Sequence, residues 1–264
     1  MIGPGTQLGR YQLREPLGVG GMSAVYLAYD PMLDREVAIK ILPVELSKEV
    51  IYRRRFEEEA RALGRVDHPN LIRIFTVGQE KDVSYYAMER VKGMSLRELL
   101  KVRAPLTPEE AMAVFGQFLR GLQAVHEGGI VHRDVKPGNL MLAETGRAIL
   151  MDFGLARRTD RDALTQAGAV LGTPEYMSSE QAKGEEADVR SDLYAAGVVL
   201  FEMLGGRPPF GGKDTLSILR KHVETPAPAL SELAPHVPSE IEAIVARLLE
   251  KRPEDRLQDA RSLL

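Results

Sequence analysis

The spacing of apolar residues changes character once along this 264-residue chain, and that change constrains its architecture more than any other feature. From Tyr11 to about Ser84 the apolar residues fall in short, strand-like runs: Tyr11-Gln12-Leu13, Ala24-Val25-Tyr26-Leu27-Ala28 and Glu36-Val37-Ala38-Ile39-Lys40-Ile41. Turn formers such as Gly20-Gly21 and Asp30-Pro31 separate them. One helix interrupts this region, over roughly 49–66, with Phe56, Ala60 and Leu63 at helical spacing, and two short strands follow near 71–77 and 84–89. After Gly93 the pattern turns helical. Thr107-Pro108-Glu109-Glu110 predicts a helix start, with Thr107 as N-cap, Pro108 in the first turn and Glu110 closing a capping box. Further helices are expected near 191–204, 215–222, 239–249 and 255–264. The boundary falls at 91–93, dividing a small sheet-rich region from a larger helical one.

The chemistry is concentrated in His132-Arg133-Asp134-Val135-Lys136-Pro137-Gly138-Asn139 and in Asp152-Phe153-Gly154. These segments set a carboxylate, an ammonium, an amide and a second carboxylate at fixed offsets, the two acids 18 residues apart (152 − 134). Isolated charged residues usually serve solvation. Here order, spacing and the intervening Pro-Gly act together, and the set suits phosphoryl transfer from a magnesium nucleotide to a hydroxyl. In that chemistry Asp134 can accept the hydroxyl proton, Lys136 can neutralise charge on the transferring phosphate, and Asn139 with Asp152 can hold Mg²⁺.

A second group lies upstream. Leu17-Gly18-Val19-Gly20-Gly21-Met22-Ser23-Ala24-Val25 carries glycines where backbone amides can approach phosphates, although a glycine-rich hairpin has the same composition. A dinucleotide-binding unit needs a helix after such glycines, and Val25-Tyr26-Leu27-Ala28 reads as a strand, so a strand–loop–strand cover fits better. Lys40 ends the apolar run 37–39, and Glu59 follows 19 residues later. Phe56, Glu59, Ala60 and Leu63 share one helical stripe, and a carboxylate on a buried stripe requires a cation, for which Lys40 is the candidate.

On these residues the chain resembles the catalytic domain of eukaryotic-like protein kinases, and within them the bacterial Ser/Thr kinases. The matching pieces are the Gly18–Val25 loop, Val37 to Lys40, Glu59, His132 to Asn139, Asp152-Phe153-Gly154, Gly172-Thr173-Pro174-Glu175-Tyr176, Glu180, Asp192 and Arg256, which appear in family order across about 10–264. The resemblance implies one catalytic domain over 1–264 with an α+β, bilobal fold. Residues of about 10–90 would form a small antiparallel β-sheet lobe with one major helix, 91–93 a hinge, and 94–264 a larger, mainly helical lobe. It implies ATP and Mg²⁺ as cofactors, with Mn²⁺ as a substitute, and Ser/Thr hydroxyls of protein substrates as acceptors. Met88 would be the gatekeeper, and Glu89, Arg90 and Val91 the segment whose backbone bonds adenine. Leu17, Gly18, Gly20, Val25, Ala38 and Met141 would complete the nucleotide site. Leu63, Ile74, His132 and Phe153 would stack as an internal spine anchored by Asp192. Glu180 and Arg256 would form a buried structural ion pair.

Three departures stand out: Ser23 for the third loop glycine, Ser179 where the family has proline, and Arg90 in place of an aromatic. Losing the proline removes a φ constraint and is expected to loosen the segment end. Lys136 and Thr173 favour Ser/Thr over tyrosine, with Thr173 hydrogen-bonding near Asp134 and Lys136. Arg133 needs a counter-ion, and a phosphate on Thr165, more than on Thr159, would supply one, making Arg133, Thr165 and Thr173 regulatory. Trans-autophosphorylation would use a homodimer. Ser95 and Gly138 stand where kinases that prefer basic residues often have acids, so no strong demand for upstream arginine is expected. A pseudokinase that binds nucleotide without turnover is the alternative. A small-molecule kinase of related fold is disfavoured by 172–176 and Glu180.

Bulk properties exclude other classes. The chain has no cysteine, which rules out disulfides, thiolate metal sites and cysteine nucleophiles. A net charge of −3 offers no electrostatic basis for binding nucleic acid or an anionic membrane. The longest apolar run, about 193–201 between Asp192 and Glu202, is far short of the ~20 residues that span a bilayer, so a cytoplasmic domain is expected.

Overall fold

A computed structural model describes residues 2–20, 23–153 and 173–264. The chain divides into two compact units, Met1–Lys92 and Gly93–Leu264.

The first unit is a six-stranded antiparallel sheet in the order β1-β2-β3-β4-β6-β5, formed by β1 (Gln7–Leu8), β2 (Tyr11–Val19), β3 (Ala24–Asp30), β4 (Arg35–Ile41), β5 (Ile74–Glu80) and β6 (Val83–Glu89). Two helices join β4 to β5: α1 (Val44–Ser47) and α2 (Val50–Leu63). Side chains alternate across a strand, so one face of the sheet collects Val37, Ile39, Ile41, Val83, Tyr85 and Ala87 into a core with Leu8, Tyr11 and Leu13. The other face receives Ala38 and Lys40 from β4 and Tyr86 and Met88 from β6, placed opposite one another by the pairs Ala38–Met88 and Lys40–Tyr86. The buried stripe of α2 is Phe56, Glu59, Ala60 and Leu63, the residues that helical phase singled out.

The second unit begins with β7 (Gly93–Ser95), which pairs with β8 (Leu140–Ala143) and through it with β9 (Ala148–Leu150). Its helices among the described residues are α3 (Leu96–Arg103), α4 (Pro108–Glu127), α5 (Ser179–Ala182), α6 (Val189–Gly205), α7 (Thr215–Glu224) and α8 (Ser239–Leu248). The capping box of α4 forms as expected: Thr107 Oγ1 accepts from the Glu110 amide and the Glu110 carboxylate accepts from the Thr107 amide. α6 is buried from Ser191 to Leu204 except at Glu202, so it runs through the core instead of lying on it. Gly197 permits its crossing with the end of α8, because a Cβ there would stand 2.6 Å from Leu248 Cβ. Gly93, with φ +157°, is required at the start of β7, where a Cβ would lie 2.0 Å from the Leu142 carbonyl oxygen.

The helix expected over 255–264 is absent; two short 3₁₀ turns, Pro253–Asp255 and Arg261–Leu263, replace it. Arg256 is held extended (φ −78°, ψ 171°) by its buried partners, and Asp259 accepts from the Ser262 amide at 2.8 Å, closing a local turn that competes with helix.

Candidate active site

The loop after α4 is shaped from below by Asp192, which is 1% exposed near the start of α6. Its Oδ2 accepts from the His132 amide at 2.8 Å and its Oδ1 from the Arg133 amide at 2.7 Å. Arg133 has φ +67°, a left-handed conformation that costs a non-glycine residue on the order of 1 kcal/mol. Two charge-assisted bonds from one buried carboxylate are enough to hold it there. His126, in the last turn of α4, reaches the same Oδ2 at 2.9 Å.

His132 is fully buried. Its Nδ1 accepts from the Asp134 amide at 3.2 Å, and its Nε2 faces the Met151 carbonyl at 3.0 Å. A carbonyl only accepts, so Nε2 carries the proton and the ring is neutral. Burial lowers its pKa against the pull of Asp192 and Asp134, consistent with that tautomer. The ring packs edge-on against Phe153 with centroids 4.8 Å apart.

Asp134 lies half-buried at the centre. Lys136 Nζ donates to its Oδ2 at 2.7 Å, and Asn139 Nδ2 donates to the same oxygen at 3.1 Å. The 3₁₀ turn Pro137–Asn139 folds Asn139 back far enough for Nδ2 also to reach the Asp134 carbonyl at 2.8 Å and the Asp152 carbonyl at 3.2 Å. The carboxylate, ammonium and amide of Asp134, Lys136 and Asn139 thus meet in one cluster, which the backbone carbonyl of Asp152 joins. Asp152 has φ +49°, a second left-handed non-glycine residue at this site.

The donor set fits magnesium. Among the described residues the hydrogen bonds of Asn139's side chain run through Nδ2, so Asn139 Oδ1 and the Asp152 carboxylate are the oxygens that would hold the ion. Mg²⁺ takes hard oxygen ligands, one or two from protein and the rest from water and phosphate. Among the described residues no group of three or more His, Asp or Glu side chains is placed to hold a metal ion.

In the first unit, Lys40 Nζ bonds Glu59 Oε1 at 2.7 Å, with both side chains about nine-tenths buried. Tyr86, across the sheet from Lys40, donates its hydroxyl to the same oxygen at 2.9 Å, and its ring packs against Phe56 at 4.9 Å. Val25 pairs with Lys40, and Ala38 with Met88, so Val25, Ala38, Lys40 and Met88 share one face. Leu17 is exposed and Gly18 lies opposite Val25; the Gly20 amide bonds the Ser23 carbonyl at 2.9 Å. The Glu89 amide bonds the Arg73 carbonyl at 2.9 Å, Arg90 pairs with Glu36, and Val91 follows β6. Leu63 and Ile74 belong to this unit; Met141, His132 and Phe153 belong to the second.

Glu180 and Arg256 form a forked pair at 2.8 and 2.7 Å. Burial would raise the Glu180 carboxyl, but the bonds from Arg256 and Ser191 outweigh it and hold the group below the usual range. Ser179 does not leave its segment loose: its buried hydroxyl donates to the His222 carbonyl at 2.9 Å, a tie that proline could not make. Thr173 lines a cavity together with Lys136, but among the described residues its hydroxyl bonds neither Asp134 nor Lys136. Thr159, Thr165, Gly154 and Gly172 lie outside the described residues. Tyr86, His126, Gln181 (Nε2 to the Arg133 carbonyl at 3.1 Å) and Ser191 were not singled out from sequence. Only His126 carried a local signal, a basic residue in the last turn of a helix.

Asp134 thus stands beside the Lys136 ammonium and the Asn139 amide, an arrangement of the kind that phosphoryl transfer uses. The comparisons agree. Residues 11–264 match the protein kinase domain family. Among curated relatives, the probable serine/threonine-protein kinase CE0033 of Corynebacterium efficiens is 43% identical over 95% of this chain and 40% of its own length. PrkC of Bacillus subtilis, a serine/threonine-protein kinase, is 41% identical over 97% and 39%. The kinase domain of Mycobacterium tuberculosis PknI superposes with a TM-score of 0.78 at 26% identity, covering 99% of this chain and 96% of that one. The chain belongs to the protein kinase domain family, and it spans about two fifths of the length of the curated relatives it matches.

Proposed function

We propose that residues 1–264 form a catalytic domain that transfers the γ-phosphoryl group of Mg-ATP to Ser/Thr hydroxyls of proteins. The observation that carries this reading is the convergence of Lys136 and Asn139 on the Asp134 carboxylate. Asp134 orients the acceptor hydroxyl and takes its proton at Oδ2. Lys136 shifts from Asp134 toward the transferring phosphate and offsets its charge. Asn139 Oδ1 and Asp152 would hold Mg²⁺, which when bound would offset charge on the phosphate oxygens. Lys40, held by Glu59 and Tyr86, presents a fixed ammonium to the nucleotide phosphates, and a lysine pinned this way loses little entropy on binding.

The nucleotide base is assigned to Leu17, Val25, Ala38, Met88, Glu89 and Val91, with Gly18 and Gly20 over the phosphates. Lys136, together with the names of the relatives as serine/threonine kinases, supports Ser/Thr as acceptor. A second copy of the chain is proposed to phosphorylate Thr165, whose phosphate would pair with Arg133. Among the described residues no helix is long and apolar enough to cross a membrane.

The test is intact mass spectrometry after incubation with Mg-ATP, beside Asp134→Asn. Gains in steps of one phosphate in the parent, absent from the variant, are expected. Nucleotide binding without any mass gain or acceptor phosphorylation would favour the pseudokinase instead.

A further inference from the structure

The second unit contains a cavity of about 340 Å³ lined by residues that include Arg97, Lys101, Lys136, Glu175, Tyr176 and Glu202. Lys136 bonds Asp134, so the cavity begins one side chain away from the group that receives the acceptor hydroxyl. A substrate residue flanking the acceptor would enter it.

The cavity's charges are unequally engaged. Lys136 is taken by Asp134, and Glu202 Oε2 accepts the Tyr176 hydroxyl at 2.6 Å. Burial pushes the Glu202 carboxyl up, while Arg97 draws it down, so Glu202 already has a cation within electrostatic reach. Arg97 and Lys101 stand one helical turn apart on α3, both exposed, and neither forms an ion pair or side-chain hydrogen bond with the described residues. Glu175 and Glu202 line the same cavity, and the Lys101 charge also acts on Glu98 of its own helix. Arg103, on the same helix, is paired with Glu110.

Exposed cations usually serve solvation, but Arg97 sits in the first turn of α3, where the helix dipole disfavours positive charge. A cation placed against the helix dipole and lining a cavity beside the Asp134 loop marks a functional position.

We propose that this cavity selects substrates with an anionic side chain, a carboxylate or a phosphorylated residue, beside the acceptor Ser or Thr, with Arg97 and Lys101 as the specificity-determining pair. The inference rests on the kinase reading above and assigns a substrate class to that same site. It extends the expectation from Ser95 and Gly138, which concerned only the lack of demand for arginine.

The experiment is initial-rate kinetics on a peptide series in which one acceptor threonine is flanked by Glu, phosphoserine, Ala or Lys. The Glu and phosphoserine peptides are expected to exceed the Ala peptide by roughly tenfold in kcat/KM, expressed in KM, which is the size two exposed ion pairs reach. The ratio of the two anionic arms tells which source is preferred, and the preference should shrink as salt rises. Arg97→Ala/Lys101→Ala should bring the anionic-to-Ala ratio to within about twofold, and Arg97→Glu/Lys101→Glu should turn the preference toward the Lys peptide. Equal rates across the series, a parent preference for lysine that Glu202→Gln removes, or an acid preference untouched in the double variants would each overturn the inference alone. No transfer to any peptide, with no mass gain on the chain itself, would overturn the kinase reading and this inference together.

Discussion

Arg256 grips Glu180 through two N–H bonds, at 2.8 and 2.7 Å, across 76 residues of sequence. The guanidinium's other three N–H groups donate to the carbonyls of Glu250, Arg190 and Lys251. All five donors are used, and the side chain is 0% exposed. Arg256→Lys keeps the charge but supplies three donors in the wrong geometry. Denaturant unfolding should show a loss of about 3 kcal/mol or more for Arg256→Lys and for Glu180→Gln, since each leaves a buried partner uncompensated. Parent-like midpoints would show the pair to be dispensable.

Tyr86 shares Glu59 Oε1 with Lys40, so it is predicted to fix the carboxylate rather than merely fill space. Removing a hydrogen bond to a charged group costs about 1.5–3 kcal/mol, so Tyr86→Phe should lower phosphotransfer by roughly tenfold with only a modest fall in melting temperature. Turnover equal to the parent would mean that Lys40 alone orients Glu59.

His222 is 0% exposed, and burial, followed by the nearby Lys251 ammonium, lowers its pKa from 6.5 to about 4. The unfolded chain therefore binds a proton more readily than the folded one across that interval. Stability from this group is complete above about pH 6.5 and falls as pH drops toward 4, by roughly 3 kcal/mol in all. Unfolding free energies measured across this window should slope steeply in the parent and less in His222→Gln; equal slopes would remove His222 as the cause.

Gly197 lies where α6 meets the end of α8, and a Cβ would overlap Leu248 Cβ. Gly197→Ala should destabilise by about 1–3 kcal/mol, and Leu248→Ala in the same chain should cost less than the sum of the two single changes. Strict additivity would show that the helices shift apart freely.

The catalytic loop was legible because it is local. Asp134, Lys136 and Asn139 lie within six residues, and the bonds that join their side chains span only two to five residues, although Asp192 braces the start of the loop from a distance. The α4 capping box was legible for the same reason, as its two bonds span three residues. The Lys40–Glu59 pair was half-legible: helical phase placed Glu59 on a buried stripe, but strand register set Tyr86 opposite Lys40. Ser179 was misread because the loss of a proline constraint is visible in the chain, whereas the carbonyl of His222, 43 residues on, is not.

By itself, the amino-acid sequence determined the change from strand-like to helical spacing near 91–93, the family, and the meeting of Asp134, Lys136 and Asn139, all of which depend on residue type and short-range spacing. Tertiary structure decided which buried groups share a partner: His126 with Asp192, Tyr86 with Glu59, and Ser191 with Glu180. It also decided that the chain from Pro253 onward forms turns rather than a helix, because Arg256 must stay extended to meet Glu180. A buried polar atom must find a partner wherever packing brings one, and local periodicity carries no record of which distant segment that will be.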